Sequence, residues 1–324
     1  MNRQNELQYR SLLKAELGEV ESRLLEITSA VPPDIAKVVQ GIIDSGGKRL
    51  RPALVLLSAH LCHAPLAQVI PIAAGIEMLH TATLIHDDLI DNATLRRGKP
   101  TLNACLSATP TILAGDLLFA RAAVLATQGA NLEIVRRFSE TLETICSGEL
   151  NQFFIGRGSL PTRDEYERRI FAKTGSLFAL AMEIGPQLAG SSAQQIADLA
   201  RFGALLGSAF QIADDVLDFV SNEATLGKPV SSDLQQGLVT LPVLVYLEQH
   251  PEAHRSIHLW RTPADARQLQ NFVSELRSSG AIEATMAIAD QRIQEALTIL
   301  EVFPESVHRA AIEEIAAFAV RRPY

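Results

Sequence analysis

Cysteine is scarce. Cys62, Cys105 and Cys146 are the only three in 324 residues, too scattered for a disulfide framework and without metal-ligand spacing. They read as ordinary reduced residues in or near the core of a cytoplasmic protein. Positive charge is scarce too. Lys and Arg number 29 against 37 Asp and Glu, and the net charge of −8 removes any electrostatic case for nucleic acid. No apolar stretch free of charges reaches the roughly 18 residues expected of a membrane span. The polar, charged segment Met1–Glu19 has no signal-peptide core. Convincing β-hairpin signals are missing, and no Ser/Gly-rich linker divides the chain.

What is present is apolar and helical. Hydrophobic residues make up 47% and charged residues 20%, as expected of a globular chain. A mean hydropathy of +0.13 is high for a soluble protein and suggests a large buried interface, an apolar cavity, or both. Ala-, Leu- and Ile-rich runs with a 3.6-residue period cover about 5–31, 33–44, 50–62, 66–90, 101–109, 111–128, 131–156, 163–190, 193–221, 239–249, 264–278, 281–303 and 305–321. Breakers separate them, among them Pro32-Pro33, Gly46-Gly47, Gly98-Lys99-Pro100, Gly227-Lys228-Pro229 and Pro304. The expectation is an all-α chain folded as one domain over 1–324, with the charged helices from about 264 onward as a peripheral layer.

Two aspartate boxes of one spacing stand out: Asp87-Asp88-Leu89-Ile90-Asp91 and Asp214-Asp215-Val216-Leu217-Asp218. An α-helix turns roughly 100° per residue, so the first and last aspartates of each box share a face, one turn apart. A solvated helix face would explain one such box. It explains two poorly, because Ile70–Ile85 and Phe202–Ile212 read as buried helices leading into them. Carboxylates stacked on an apolar helix repel one another unless a cation holds them. Oxygen ligands alone, with no Cys or His inside either box, favour a hard ion, Mg²⁺ before Ca²⁺. Mg²⁺ commonly takes one or two carboxylates and completes its shell with water and substrate phosphates. The boxes therefore suggest a diphosphate held through Mg²⁺.

Basic residues stand where a diphosphate would need them. Gly46-Gly47-Lys48-Arg49-Leu50-Arg51-Pro52 is a glycine turn running into a helix, which suits an anion, although a plain loop with solvated cations would look alike. Arg96-Arg97-Gly98 follows the first box, and adjacent arginines point different ways, so they could grip two phosphates. His80 lies two turns before Asp87 on nearly the same face; alone, it would more often be a satisfied core histidine.

Together these residues resemble the trans-isoprenyl diphosphate synthases, also called polyprenyl synthetases. The resemblance runs from about Gly46 to Pro242. It takes in Gly-Gly-Lys-Arg-Leu-Arg-Pro at 46–52, His-Asp-Asp-Leu-Ile-Asp at 86–91, Arg-Arg-Gly at 96–98 and Gly115-Asp116. It continues through Gly148-Glu149, Gln152, Lys173-Thr174, Phe210-Gln211, the second box, Gly227-Lys228-Pro229 and Thr240-Leu241-Pro242. Each piece is modest; the ordered set is specific.

The resemblance implies an isoprenoid-synthase-type helical bundle around an elongation cavity, working as a Mg²⁺-dependent prenyltransferase. An allylic diphosphate ionises, and the double bond of isopentenyl diphosphate attacks head to tail. It further implies that Lys48, Arg51, His80 and Arg97 hold isopentenyl diphosphate. Asp87, Asp91 and Asp214 are implied as metal ligands, with Asp88, Asp215 and Asp218 as direct or supporting groups. Arg96, Lys173, Thr174, Gln211 and Lys228 are implied at the allylic diphosphate, Thr174 and Gln211 beside the reacting carbons. A homodimer is implied, with product passed to membrane enzymes. Two positions depart from the pattern: Ser231 and Leu238 stand where the family often has Gly and Lys. The role of Arg321-Arg322 is left open.

In this family the product grows down a tunnel plugged, in short-chain members, by bulky residues one or two turns before the first box. Here Ala82 and Thr83 stand there, with Leu79 and Met78 deeper and Phe119, Ala123 and Ala126 as floor candidates. Small residues resemble the long-chain class, most closely octaprenyl diphosphate synthases that make quinone side chains, although close helix packing alone would explain Ala82. The alternatives are a geranylgeranyl or farnesyl synthase and a regulatory subunit of a heteromeric synthase. A terpene cyclase is a third. Regulatory subunits typically lose an acidic box, and cyclases usually keep one and lack the Gly-Gly-Lys turn. This chain has all three elements.

Overall fold

A computed structural model describes residues 7–44, 47–96, 98–155, 160–220, 231–251, 253 and 266–321. Arg97 and Lys228, and the glycine at 46, lie outside the described residues. Helices dominate. In chain order they are α1 (Tyr9–Leu12), α2 (Lys14–Leu25), α3 (Pro33–Asp44), α4 (Leu50–Cys62), α5 (Leu66–Ile90), α6 (Leu102–Cys105), α7 (Ala108–Thr127) and α8 (Leu132–Ile155). There follow α9 (Arg163–Ile170), α10 (Ser176–Leu188), α11 (Ala193–Val220), α12 (Ser232–Gln235), α13 (Leu241–Gln249), α14 (Ala266–Ser278), α15 (Ala281–Leu300) and α16 (Val307–Val320).

Two compact units result. One comprises Met1–Thr141, Leu177–Ala200 and Leu300–Ile315; the other comprises Leu142–Ser176, Arg201–Ile299 and Ala316–Tyr324. The first is organised around α5. Its apolar residues run all the way round, so it must be enclosed, and α7, α4 and α2 pack against it. Ile72, Ala73, Ala74, Ile76 and Leu79 have no exposed surface. The second unit buries Tyr166, Phe202, Phe219, Leu241, Val243 and Leu276 with no solvent exposure.

By length and composition alone, three helices could cross a membrane, contrary to the sequence expectation. Two of them find partners inside the fold: the most apolar 18-residue stretch of α5 is 78% buried and that of α11 50% buried, while that of α7 is only 33% buried. The outer face of α7 therefore stays apolar and uncovered, with Ile112, Leu113, Leu117 and Val124 all exposed.

Four readings of the sequence need correction. The helix expected over 5–31 breaks at Leu13 (φ −105°, ψ 22°) and ends in a 3₁₀ turn over Glu26–Ala30. The helix expected over 101–109 stops at Cys105, and α7 starts at Ala108. Pro110 explains this: in the first turn of a new helix its missing N–H costs nothing, whereas a helix running through from 101 would lose a bond there. A minimal hairpin does exist. Leu95 pairs with Pro100 and Arg96 with Lys99, with Gly98 at φ 76° in the turn. Two residues per strand are too few to leave a period-2 signal. Finally, Cys105 and Cys146 are exposed and only Cys62 is half-buried, all three free. Cys146 falls in the outward row of α8 with Glu143 and Leu150.

Candidate active site

The first box closes α5. Asp87 and Asp88 lie in its last turn and Asp91 is its C-cap, and the last turn holds no basic residue. A helix C-terminus already carries partial negative charge, so carboxylates there are disfavoured until a cation arrives. The three are not equivalent. Asp88 is buried, and the Arg96 Nε reaches both of its oxygens, at 2.8 and 2.9 Å. Asp87 is half-buried and Asp91 exposed. The hairpin that delivers Arg96 is itself tied down, since the Thr101 hydroxyl and the Asn103 amide both donate to the Ala93 carbonyl, at 2.6 and 2.9 Å. His86, just ahead of the box, needs Gly115: a Cβ there would sit 2.2 Å from its Nε2. Its ring packs edge-on against Phe119 at 5.2 Å.

The basic turn is built by residues the sequence reading passed over. Arg49 adopts a left-handed backbone (φ 51°) at the N-cap of α4. Its guanidinium pairs with the buried Glu77 of α5 at 2.9 Å and donates to the Ile43 carbonyl at 2.5 Å. The hydroxyl of fully buried Tyr9 donates to the Lys48 carbonyl. With the backbone fixed this way, the Lys48 side chain is exposed, while Arg51 lies over the Phe178 ring at 4.7 Å. His80 is half-buried, its carbonyl accepting from the Thr83 hydroxyl at 2.8 Å. One signal could have found this brace: Glu77 is the lone charge in the apolar run of α5, and such a charge is buried only with a partner.

The second box lies at the end of α11, which also lacks a basic residue in its last turn. Asp214 is half-buried, whereas Asp215 and Asp218 are 3% and 2% exposed. Each Asp215 oxygen has its own donor: the Tyr166 hydroxyl at 2.7 Å and the Gln211 amide at 2.9 Å. The Gln211 carbonyl in turn accepts from the Thr174 hydroxyl at 2.7 Å. Burial pushes the Asp215 carboxyl up to about 7, with Asp233 adding to the rise and the donors from Gln211 and Tyr166 opposing it. Burial, reinforced by Asp215, also raises the Tyr166 phenol. Asp218 accepts from the Asp233 backbone N–H at 3.2 Å.

Lys173 and Thr174 sit on a wide π turn, Phe171–Gly175, inserted between α9 and α10. Such turns displace side chains from regular helical register and recur at functional sites. This turn approaches α8 where Gly148 has no side chain; a Cβ there would lie 2.5 Å from that of Ala172. The Lys173 ammonium meets Glu149 at 3.2 Å. Nearby, a cavity of about 580 Å³ is lined by residues that include Ser147, Asn151, Gln152, Arg168, Arg169 and Phe171.

Among the described residues, no three acidic or imidazole side chains already form a metal cage. Each box by itself nevertheless suits a hard divalent ion: oxygen donors only, at a helix C-terminus with no basic residue in its last turn, with Asp87 and Asp91 in the first box and Asp214 in the second not fully buried. Of the chain-length candidates, Ala82 and Leu79 are fully buried, as is Ala126; Thr83 and Phe119 are partly exposed and Ala123 is exposed.

Residues 32–276 match the Polyprenyl synthetase family. Heptaprenyl diphosphate synthase component 2 of Bacillus subtilis is 33% identical over 97% of this chain and 90% of its own length. Octaprenyl diphosphate synthase of Escherichia coli is 33% identical over 96% of this chain and 97% of its own. Among solved structures, polyprenyl synthase from Caulobacter crescentus, complexed with calcium and isoprenyl diphosphate, superposes with a TM-score of 0.87. It is 33% identical over 97% of both chains. With its predominantly helical architecture and motifs in family order, this chain belongs to the polyprenyl synthetase family and is a trans-prenyltransferase.

Proposed function

We propose that this enzyme condenses isopentenyl diphosphate with an allylic diphosphate, farnesyl diphosphate as primer, to give a long all-trans chain of octaprenyl length. One observation carries the reading: both aspartate boxes and the Gly-Gly-Lys turn are intact, and each box ends a helix with no basic residue in its last turn. Mg²⁺, held by Asp87, Asp91 and Asp214, would supply the charge that stabilises diphosphate as it departs from the allylic carbon. Lys173, Arg96 and Lys228 bind the same diphosphate. Lys48, Arg51, His80 and Arg97 bind isopentenyl diphosphate and orient its double bond. The oxygens of Thr174 and Gln211 steady the allylic cation through dipoles without forming a bond to it. The proton lost after attack goes to the released diphosphate. Arg96 already holds Asp88, so its effect on substrate also runs through the geometry of the first box.

Small Ala82 and Thr83 ahead of the box support the long product, destined for quinone side chains. The two named relatives differ in product length, so incubation with isopentenyl diphosphate, farnesyl diphosphate and Mg²⁺, followed by product sizing, is the decisive experiment. Products no longer than geranylgeranyl would replace the octaprenyl reading. The whole chain acts as one catalytic domain, in the cytoplasm, as a homodimer; the uncovered apolar face of α7 supports self-association. A second reading has one observation behind it: the Bacillus subtilis relative is named as a component. Full activity of this chain alone would exclude an obligate second component. Light scattering that shows only monomer at micromolar concentration would exclude the homodimer.

A further inference from the structure

We propose that Tyr166 is a positioning residue for the allylic site, acting through Asp215 on Gln211 and Thr174. The inference rests on the prenyltransferase reading and adds a residue outside the motifs that carry the family resemblance.

Four side chains form one hydrogen-bonded row. Tyr166 on α9 donates to Asp215 on α11; Gln211, one turn earlier on α11, donates to the other carboxylate oxygen; Thr174 on the π turn donates to Gln211. Tyr166, Asp215 and Thr174 are all buried, so each unmet polar group would be costly. Both Asp215 oxygens accept in this row, and that arrangement sets the polarity of everything that follows. The Gln211 amide must turn its N–H₂ to Asp215 and its carbonyl to Thr174. Thr174 must then give its only proton to Gln211 and present lone pairs to any other neighbour. An oxygen in that state can steady a positive carbon, whereas a hydroxyl free to rotate can turn its hydrogen toward it.

Tyr166 holds the Asp215 end of the row in place from α9. Its hydroxyl reaches Asp215 from a different helix, and it fixes the carboxylate plane that Gln211 must meet. Without it, the carboxylate keeps a single donor in this row and can rotate, and the Gln211 amide bound to it no longer meets Thr174 in one fixed position. The Tyr166 hydroxyl touches neither substrate nor metal in this account.

The test uses the full-length enzyme with isopentenyl diphosphate, farnesyl diphosphate and Mg²⁺. Tyr166→Phe should lower kcat about tenfold, with the KM for isopentenyl diphosphate within about twofold of wild type and an unchanged far-ultraviolet spectrum. Thr174→Val should also lower kcat, and Thr174→Ser should restore it. The double variant Tyr166→Phe/Thr174→Val should be no slower than the slower single variant, because both break one row. Wild-type kcat in a folded Tyr166→Phe enzyme overturns the proposal, and so do losses that multiply in the double variant. If Tyr166→Phe does not fold, site-specific 3-fluorotyrosine at 166 alters the donor without removing it, and an unchanged kcat then overturns the proposal. A wild-type enzyme that makes no prenyl product would instead sink the prenyltransferase reading itself.

Discussion

Ser231 occupies a position built for glycine, and replacing it should stabilise the protein. Its φ of 59° lies in the left-handed region, and its side chain is 1% exposed. The backbone is held there from both sides: its N–H donates to the Asp218 carbonyl at 2.8 Å, and its own carbonyl accepts from Gln235 at 3.0 Å. A Cβ in this conformation costs about 1–2 kcal/mol. The Ser231 hydroxyl is also buried without a hydrogen-bond partner among the described residues, a further cost of about 1–3 kcal/mol. Against both stands the greater freedom of glycine in the unfolded chain, about 0.5–1 kcal/mol. Ser231→Gly should thus gain about 1–4 kcal/mol and raise Tm by roughly 1–6 °C. Ser231→Ala separates the terms, since it removes the hydroxyl and keeps the strained Cβ. Scanning calorimetry of the three proteins should rank Gly above Ala above Ser. An alanine variant as stable as the glycine variant would refute the backbone argument, and a serine protein as stable as both would refute the whole calculation.

Three other outcomes are expected. Asp87→Ala or Asp214→Ala should abolish nearly all turnover while circular dichroism stays unchanged and metal-free stability holds or rises; substantial activity in either, or in excess chelator, would count against the two-box mechanism. Ala82→Phe should shorten the product to farnesyl or geranylgeranyl length in a folded, active enzyme; a destabilised, inactive variant would instead mean that the fully buried Ala82 packs against protein, where overfilling costs about 1–3 kcal/mol. Asp215 predicts a pH dependence in metal-free protein: its carboxyl titrates near 7 in the fold against 3.8 without it. The unfolded chain therefore loses that proton first, and stability falls between about pH 4 and 7, by up to about 4 kcal/mol. Urea titrations should show this decline in the wild type and a flatter profile in Asp215→Asn.

The helices were legible because their period is strong, and the errors fall where local chemistry overrides period. α5 carries an apolar residue on every face for most of its length, and only an enclosed helix can do that. The break before α7 turned on a single proline, which a period count absorbs without notice. The hairpin at Leu95–Pro100 is two residues per strand, shorter than any window that could reveal it. The π turn at Phe171–Gly175 leaves no mark on the apolar pattern either: one extra residue rotates the following helix by roughly 100°, but residues 174–186 are buried on every side, so no polar face records the shift.

The candidate site divides along a different line. Spacing identifies which carboxylates exist; it does not say which of them the protein keeps for itself. In both boxes the middle aspartate is buried and held by a group on another element, Asp88 by Arg96 and Asp215 by Tyr166. Asp87, Asp91 and Asp214 retain access to solvent. The family resemblance casts Asp88 and Asp215 as direct or supporting groups, but spacing alone does not set them apart, because their partners lie 8 and 49 residues away. A carboxylate fixed by buried hydrogen bonds can still orient the helix end and the side chains beside it. Its neighbours on the more accessible face are better placed to meet an ion that must come and go with each substrate. A helix turns roughly 100° per residue, so adjacent aspartates must face different surroundings. A doubled aspartate at the end of a buried helix can therefore supply one anchor and one ligand.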